Sequence, residues 1–170
     1  MPRTPSNIVL IGMPGSGKST VGVILAKLAS LDFVDTDILI QSAAQRPLQE
    51  IVDEEGYMAL RKMEEEILLK LHCNRHVIAT GGSAVYSPLA MNHLKANGIV
   101  VFLDVDLATL KSRIRDYKSR GLAKHPDQTL EGLFEERLIL YRRYADLTVN
   151  GSGTTQEEVC AAILKEFQAK

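Results

Sequence analysis

The feature that most constrains this chain is the stretch NIVLIGMPGSGKSTVGVILAKL at residues 7–28. A short apolar run is followed by a glycine-rich loop and then by apolar residues at helical spacing. Glycine and proline interrupt regular structure, so a sharp turn between a strand and a helix is predicted. Residues 12–19, GMPGSGKS, match the pattern G-x-x-x-x-G-K-[ST] in the required context. The pattern therefore predicts a site for a nucleoside triphosphate, with a chance glycine-rich turn as the alternative.

Each residue type in this phosphate loop suits the binding of phosphate groups. The glycines allow backbone N–H groups to turn toward phosphate oxygens, and the following helix adds the positive end of its dipole. Lys18 is expected to neutralise charge at the β- and γ-phosphates, and the Ser19 hydroxyl to bind Mg²⁺. The residues predicted to bind ATP are Gly12, Gly15, Ser16, Gly17, Lys18, Ser19 and Thr20.

Composition limits the partners and the location of the chain. Among 170 residues, 20 Lys+Arg oppose 21 Asp+Glu, and this net charge of −1 argues against nucleic acid as the main ligand. The sequence has no apolar run long enough for a transmembrane helix, and its start lacks the apolar segment of a signal peptide. Cys73 and Cys160 are expected to be thiols in a reducing compartment. We therefore expect a cytoplasmic protein with no membrane partner, a monomer rather than an oligomer.

Apolar runs and amphipathic segments alternate along the chain without a linker or repeat. Strands are predicted at residues 7–11, 32–34, 76–79, 99–103 and 147–149. Helices are predicted near residues 18–30, 38–44, 57–72, 88–97, 107–118, 130–145 and 154–168. Short apolar strands separated by helices indicate a parallel sheet covered on both faces. The prediction is a single α/β domain over residues 1–170, with three αβα layers around a five-stranded parallel sheet.

Other stretches narrow the class of nucleotide-binding protein. Guanine-specific switches usually carry Asn-Lys-x-Asp, which is absent from this sequence. Motor ATPases usually place Asp-Glu after an apolar strand, whereas residues 100–106 read VVFLDVD. The favoured class is therefore a small-molecule kinase with a fold of the P-loop kinase type. A non-catalytic ATP-binding module is the alternative, because a phosphate loop by itself predicts binding and not turnover.

Two carboxylates follow the second predicted strand. At strand periodicity Asp35 and Asp37 point the same way, toward the crevice beyond the carboxyl ends of the strands. Asp35 is expected to hold Mg²⁺ directly or through water. Asp37 is expected to accept the proton of an attacking hydroxyl or to orient that hydroxyl. The alternative for Asp37 is an N-cap of the helix predicted from Ile38.

Two arginines are candidates for binding an anionic acceptor. Arg137 lies in the middle of the apolar stripe of its predicted helix, where a guanidinium must find an anion or extend past the stripe to water. Arg61 lies one turn from Glu64, which is at the edge of another apolar stripe. We expect Arg61 or Arg137 to pair with Glu64; a surface ion pair is the alternative. If the arginines meet in the crevice, they form a fork for a carboxylate or phosphate.

Two further segments are expected to contact the substrates. Backbone N–H groups at Gly81 and Gly82 could add donors for an anion, although a plain turn explains these glycines equally well. The segment SRIRDYKSRGLAKH at residues 112–125 is strongly basic. Beside a triphosphate site it predicts a mobile lid at about residues 112–128, whose arginines stabilise the transferring phosphoryl group and stack on the base. A solvated charged loop is the alternative.

The chain resembles the shikimate kinase family over roughly residues 7–149. It carries that family's motifs in order: GMPGSGKST, FVDTD, VIATGG, a basic lid and ERLILYRRYAD. The resemblance implies Mg²⁺-dependent transfer of the γ-phosphoryl group of ATP to the 3-hydroxyl of shikimate, on the route to aromatic amino acids. It implies that Asp37 binds the shikimate hydroxyls. It also implies that Arg61, Arg137 and the backbone near Gly82 hold the carboxylate and the ring.

The same resemblance assigns Arg120 as the lid arginine that bridges both substrates and places Arg113 against adenine. Three positions depart from the family pattern. Ser83 replaces a third glycine and adds a side chain where backbone is expected near the ligand, and Gly121 replaces a proline that would stiffen the lid. Ile139 replaces a proline before Leu-Tyr. Other acceptors, such as the sugar acid gluconate or a nucleotide, are therefore kept as alternatives.

Overall fold

The structure is a computed structural model that describes residues 5–117 and 120–170. Its strands are β1 (Asn7–Ile11), β2 (Asp32–Asp35), β3 (His76–Ala79), β4 (Gly98–Asp104) and β5 (Leu147–Asn150). Its helices are α1 (Lys18–Ala29), α2 (Thr36–Ala44), α3 (Leu48–Glu55), α4 (Tyr57–Lys70), α5 (Pro88–Lys95), α6 (Leu107–Arg113), α7 (Leu130–Tyr144) and α8 (Gln156–Gln168). A short 3₁₀ helix spans Ala84–Tyr86.

The five strands form one parallel sheet in the order β2-β3-β1-β4-β5. The central strand β1 carries the phosphate loop at its carboxyl end, and Ile8 pairs in register with Val77 of β3 and Ile99 of β4. Successive side chains of β1 alternate between the two faces of the sheet, as strand geometry requires. The predicted α/β fold with a five-stranded parallel sheet and helices on both faces is confirmed.

Both faces of the sheet are buried, so the core has two layers. Ile8 and Leu10 pack against α1 and α8, whereas Val9 and Ile11 pack against α4, α5 and α7. Each fully buried aliphatic side chain contributes roughly 1.5–3 kcal/mol relative to exposure. The central strand is therefore held firmly in place, and with it the start of the phosphate loop. Both Cys73 and Cys160 are free thiols.

The predictions missed helix α3, which covers the acceptor side of the molecule. Pro47 precedes this helix and Gly56 follows it, and both are ordinary boundary signals. Ile51 is fully buried and packs in a third apolar cluster with Ile40 and Ala123. Leu48, Ile51 and Val52 lie at helical spacing and pack in this cluster, so the sequence does carry a signal for α3.

The helix predicted at residues 107–118 is wrong at its C-terminal end, because α6 ends at Arg113. Ile114 is buried and extended and its side chain packs beside Gly15, so the chain turns toward the phosphate loop instead of continuing as a helix. Lys118 and Ser119, which belong to the predicted lid, lie outside the described residues. Within the described residues, no helix is both long and apolar enough to cross a membrane.

Candidate active site

A cavity of about 660 Å³ lies where the carboxyl ends of the strands meet. The phosphate loop after β1 and the Gly81–Gly82 segment after β3 form two of its walls. The predicted site residues that line it are Gly15, Ser16, Gly17, Lys18, Ser19, Thr20, Asp37, Gly81, Gly82, Arg113, Arg120 and Arg137. Three predicted site residues do not line the cavity: Gly12, Asp35 and Arg61. Each is hydrogen-bonded to a residue that does line it.

Lys18 is buried at the start of α1 and is held over the phosphate loop. Its Nζ donates to the carbonyl oxygens of Gly12 at 2.6 Å and Met13 at 2.9 Å. Burial lowers the pKa of Lys18 to about 8, and the nearby Asp37 carboxylate opposes this shift. Desolvation disfavours the ammonium charge, so an anion in the loop would stabilise it.

Asp35 and Ser19 meet at the base of the loop. Ser19 Oγ donates to Asp35 Oδ2 at 2.6 Å, and Asp35 Oδ1 accepts from the backbone N–H of Asp37 at 2.9 Å. Asp35 is thus the N-cap of α2, which begins at Thr36 and not at residue 38. The N-cap alternative for Asp37 is therefore wrong. A hydroxyl and a carboxylate are both hard oxygen ligands, so the pair fits a Mg²⁺ ion.

Asp37 occupies the first turn of α2 and faces the cavity. The strand alternation used to predict its direction does not apply, since residue 37 is helical. Burial raises the pKa of Asp37, and the Lys18 ammonium acts in the opposite direction. A Cβ on Gly81 would come within 3.0 Å of both Asp37 Oδ1 and Glu64 Oε1, which shows that these carboxylates flank the same glycine.

Arg61 and Arg137 converge on one carbonyl group. The Nη2 atoms of both side chains donate to Ala123 O, each at 3.2 Å. The Tyr86 ring lies beneath them, with its centroid 3.6 Å from Arg61 Cζ and 5.5 Å from Arg137 Cζ. Arg137 is only 1% exposed, so its predicted inward position is confirmed and its extension to water is wrong. Arg61 itself faces a smaller neighbouring cavity.

The expected ion pair between Glu64 and these arginines is wrong. Among the residues that the structure describes, neither Arg61 nor Arg137 forms an ion pair, at the surface or elsewhere. Glu64 is 3% exposed and accepts a hydrogen bond from Ser83 Oγ. Burial raises the pKa of Glu64 to about 7, and the Ser83 hydrogen bond opposes the shift. No sequence pattern reveals this partner, because Ser83 lies on a different element.

The Gly81–Gly82 segment packs closely against side chains of the cavity. Gly82 O accepts from the Tyr141 hydroxyl at 2.6 Å, and a Cβ at this position would lie 2.5 Å from Arg137 Nη1. Gly82 therefore occupies a turn and also leaves room for the Arg137 guanidinium. The N–H of Gly81 donates to Thr36 Oγ1 at 3.2 Å, so this group is already used within the protein.

The basic segment contributes to the cavity in two ways. Arg113 bridges two loops, since its Nη2 donates to Gly151 O at 3.0 Å and its Nη1 to Gly15 O at 3.3 Å. Arg120 is exposed and lines the cavity. Gly121 has φ +62° and donates its N–H to Gln49 Oε1 at 2.9 Å. Proline could provide neither the positive φ nor the N–H.

The structure also adds cavity residues that the sequence reading missed. Thr154, Thr155 and Gln156 line it at the start of α8. The capping box of Thr155 and Glu158 marks the start of a helix in the sequence but carries no sign of a ligand. Ile139 is 65% exposed and does not line the cavity, so this departure from the family pattern lies outside the site.

A phosphate loop on the central strand, an inward carboxylate and an arginine in one cavity define a kinase of the P-loop type. The family model for shikimate kinase matches residues 14–168. The chain belongs to the shikimate kinase family. It is 39% identical over 164 residues to the shikimate kinase of Thermosynechococcus vestitus, covering 94% of this chain and 88% of that protein.

Solved structures agree with this assignment. The shikimate kinase from Acinetobacter baumannii in complex with shikimate matches with a TM-score of 0.89 at 31% identity, covering 98% of this chain and 94% of the other. The shikimate kinase from Aquifex aeolicus matches with a TM-score of 0.81 at 36% identity, covering 95% and 96%. The resemblance expected from the motifs is confirmed.

Proposed function

We propose that this chain transfers the γ-phosphoryl group of ATP to the 3-hydroxyl of shikimate, giving shikimate 3-phosphate and ADP. A bond forms between the acceptor oxygen and the γ-phosphorus, and the bond from that phosphorus to the bridging oxygen of ADP breaks. The observation that carries the proposal is that Asp37 and the buried Arg137 line the same cavity as the phosphate loop. Membership of the shikimate kinase family supplies the identity of the acceptor.

On the donor side, the phosphate loop residues bind the phosphates of ATP through their backbone N–H groups. Lys18 exchanges its carbonyl partners for phosphate oxygens, which favours its charged form. Ser19 and Asp35 would hold Mg²⁺, which supplies positive charge at the phosphates when bound. The side chains of this chain then orient the γ-phosphoryl group toward the acceptor part of the cavity.

On the acceptor side, Asp37 accepts the hydroxyl proton or orients the hydroxyl for attack. Its raised pKa, caused first by burial, makes it a stronger proton acceptor than an exposed carboxylate. Arg61 and Arg137 hold the carboxylate of shikimate, with Gly82 packed against Arg137. Both guanidinium groups donate to one neutral carbonyl. A carboxylate is a stronger hydrogen-bond acceptor and would replace it.

The chain acts as a single kinase domain with residues 112–128 as its lid. Arg120 reaches the transferring phosphoryl group and Arg113 supports the nucleotide; both line the cavity. Docking of Gly121 against α3 links the lid to the acceptor side. A mobile lid would exclude water from the reaction.

The test is ADP release with ATP, Mg²⁺ and shikimate. We expect turnover that depends on shikimate and greatly exceeds ATP hydrolysis alone. Gluconate and a nucleoside monophosphate serve as alternative acceptors in the same assay. Turnover with one of these and not with shikimate would reject the proposed acceptor, while ATP binding without any product would favour a non-catalytic module.

A further inference from the structure

Within residues 5–117 and 120–170, the two arginines at the acceptor side have no carboxylate partner. Arg137 is 1% exposed, and its hydrogen bonds go to the neutral Ala123 carbonyl and the Tyr86 hydroxyl. Arg61 also donates to Ala123 O, and its buried Nε has no hydrogen-bond partner in the part of the chain that the structure describes. A buried guanidinium without an anion is unfavourable, so this arrangement is suited to an anionic ligand.

Glu64 is the obvious internal competitor for these cations. It lies one turn from Arg61 on α4, a spacing at which opposite charges normally pair on a helix. Arg137 is also close enough to lower the pKa of Glu64. Neither arginine is bonded to it, and Glu64 Oε1 has no partner among the residues described. Some other contact must therefore fix the orientation of this carboxylate.

That contact is the hydroxyl of Ser83, the residue that replaces the third glycine of the family pattern. Ser83 is 8% exposed, and its Oγ donates to Glu64 Oε2 within the protein. The two residues before it are held in place, because Gly81 N–H donates to Thr36 Oγ1 and Gly82 O accepts from the Tyr141 hydroxyl. A donor on a fixed backbone can hold a flexible glutamate in one orientation.

We propose that Ser83 is a positioning residue of the acceptor site, whose hydroxyl holds Glu64 away from Arg61 and Arg137. The two guanidinium groups thereby remain available for the carboxylate of the acceptor. The inference rests on the proposed function, since it explains how the same site keeps its affinity for an anion. It assigns a role to a side chain where the family usually has none.

Removal of the hydroxyl should allow Glu64 to turn toward the arginines and compete with the acceptor. Ser83→Ala is expected to raise the KM for shikimate about fivefold, the scale of one ion pair of modest strength. The kcat at saturating shikimate should stay within twofold, because the bound acceptor displaces Glu64. The KM for ATP should not change, since the hydroxyl of Ser83 is bonded to Glu64 and not to the phosphate loop.

The experiment measures ADP release against shikimate concentration at saturating ATP and Mg²⁺. Ser87→Ala is the matched control, because Ser87 also donates to a glutamate, Glu65, but has no part in the acceptor site. The decisive comparison repeats Ser83→Ala in a Glu64→Gln background. A neutral amide cannot form the competing ion pair, so the second substitution should abolish the effect of the first on KM.

The outcomes separate the inference from the function on which it rests. An unchanged KM in Ser83→Ala would overturn the inference and leave the kinase activity intact. An equal rise of KM in the Glu64→Gln background would also overturn it, because that result describes a packing defect. Absence of shikimate-dependent ADP release in the wild-type chain would overturn the proposed function and this inference together.

Discussion

Burial shifts the pKa values of two charged side chains in this cavity. Asp37 and Lys18 line the same cavity. Burial raises the pKa of Asp37 and lowers the pKa of Lys18, and both shifts favour the neutral form. The charge of each group opposes the shift of the other. A phosphoryl-transfer site requires such a pair, because a cation must meet the phosphates and a carboxylate must meet the hydroxyl.

Asp37→Asn preserves the shape of the side chain and removes its ability to take a proton. We expect kcat to fall by about 10²-fold, the usual scale of base assistance, while the KM for ATP stays within twofold. Steady-state kinetics at saturating substrates measures the change. A kcat within threefold of the wild-type value would show that Asp37 does not take the proton of the hydroxyl.

Arg137→Lys keeps the positive charge and removes the fork that binds a carboxylate through two atoms. The loss of one charge-assisted hydrogen bond should raise the KM for shikimate at least about tenfold. Arg142→Lys is the control, since Arg142 lies exposed on the same helix. Equal KM values in the two variants would contradict the assignment of Arg137 to the acceptor.

Single residues differ in how well the sequence predicts their environment. Arg137 was predictable, because a charged residue inside an apolar helical stripe is anomalous whatever the fold. The partner of Glu64 was not, since Ser83 becomes its neighbour only after α4 and the loop following β3 have packed. The sequence offered Arg61 or Arg137 as the partner, and both were wrong.

At the scale of elements, α3 contacts the segment that we propose as a lid. Gly121 and Ala123 meet α3 and α4 through the Gln49 side chain and the Arg61 guanidinium. The position of the proposed lid is therefore linked to the helices that carry the residues proposed to bind the acceptor. The sequence indicated a basic segment and a phosphate loop from local composition. This contact depends on α3, which the predictions missed although Leu48, Ile51 and Val52 lie at helical spacing.

Gln49→Ala removes the hydrogen bond to the N–H of Gly121. The loss of about 1 kcal/mol should speed hydrogen exchange of the Gly121 amide roughly fivefold. Exchange measured by mass spectrometry or nuclear magnetic resonance gives the rate. Glu50→Ala, an exposed change on the same helix, should leave it unaltered. Unchanged exchange in Gln49→Ala would mean that this contact does not hold the lid.

At the scale of the whole molecule, the buried charges link stability to pH. The folded-state pKa of Glu64 is about 7 against an ordinary value of 4.5, mainly because of burial. Between these values the folded protein holds a proton that the unfolded chain has lost, so the free energy of unfolding falls as pH rises. The effect is complete above the folded-state pKa.

Glu64→Gln should therefore flatten this part of the pH profile of stability. Chemical denaturation at pH 5 and pH 8 should show the wild type losing up to about 3 kcal/mol relative to the variant. Glu66→Gln on the exposed side of the same helix is the control. Parallel profiles for the wild type and Glu64→Gln would contradict the buried, weakly acidic state of Glu64.

The parallel sheet with helices on both faces was predictable from alternating apolar and amphipathic segments, because a sheet buried on both faces leaves that pattern in the sequence. Helix α3 and the end of α6 were not predicted correctly.

We propose above that two arginines beside the ATP cavity bind the carboxylate of the acceptor. ADP release with shikimate and with its methyl ester tests this claim most directly. We predict that kcat/KM for the ester is lower by at least about 10²-fold, from the loss of charge-assisted hydrogen bonds. Equal values for the two compounds, or no release with shikimate, would contradict it.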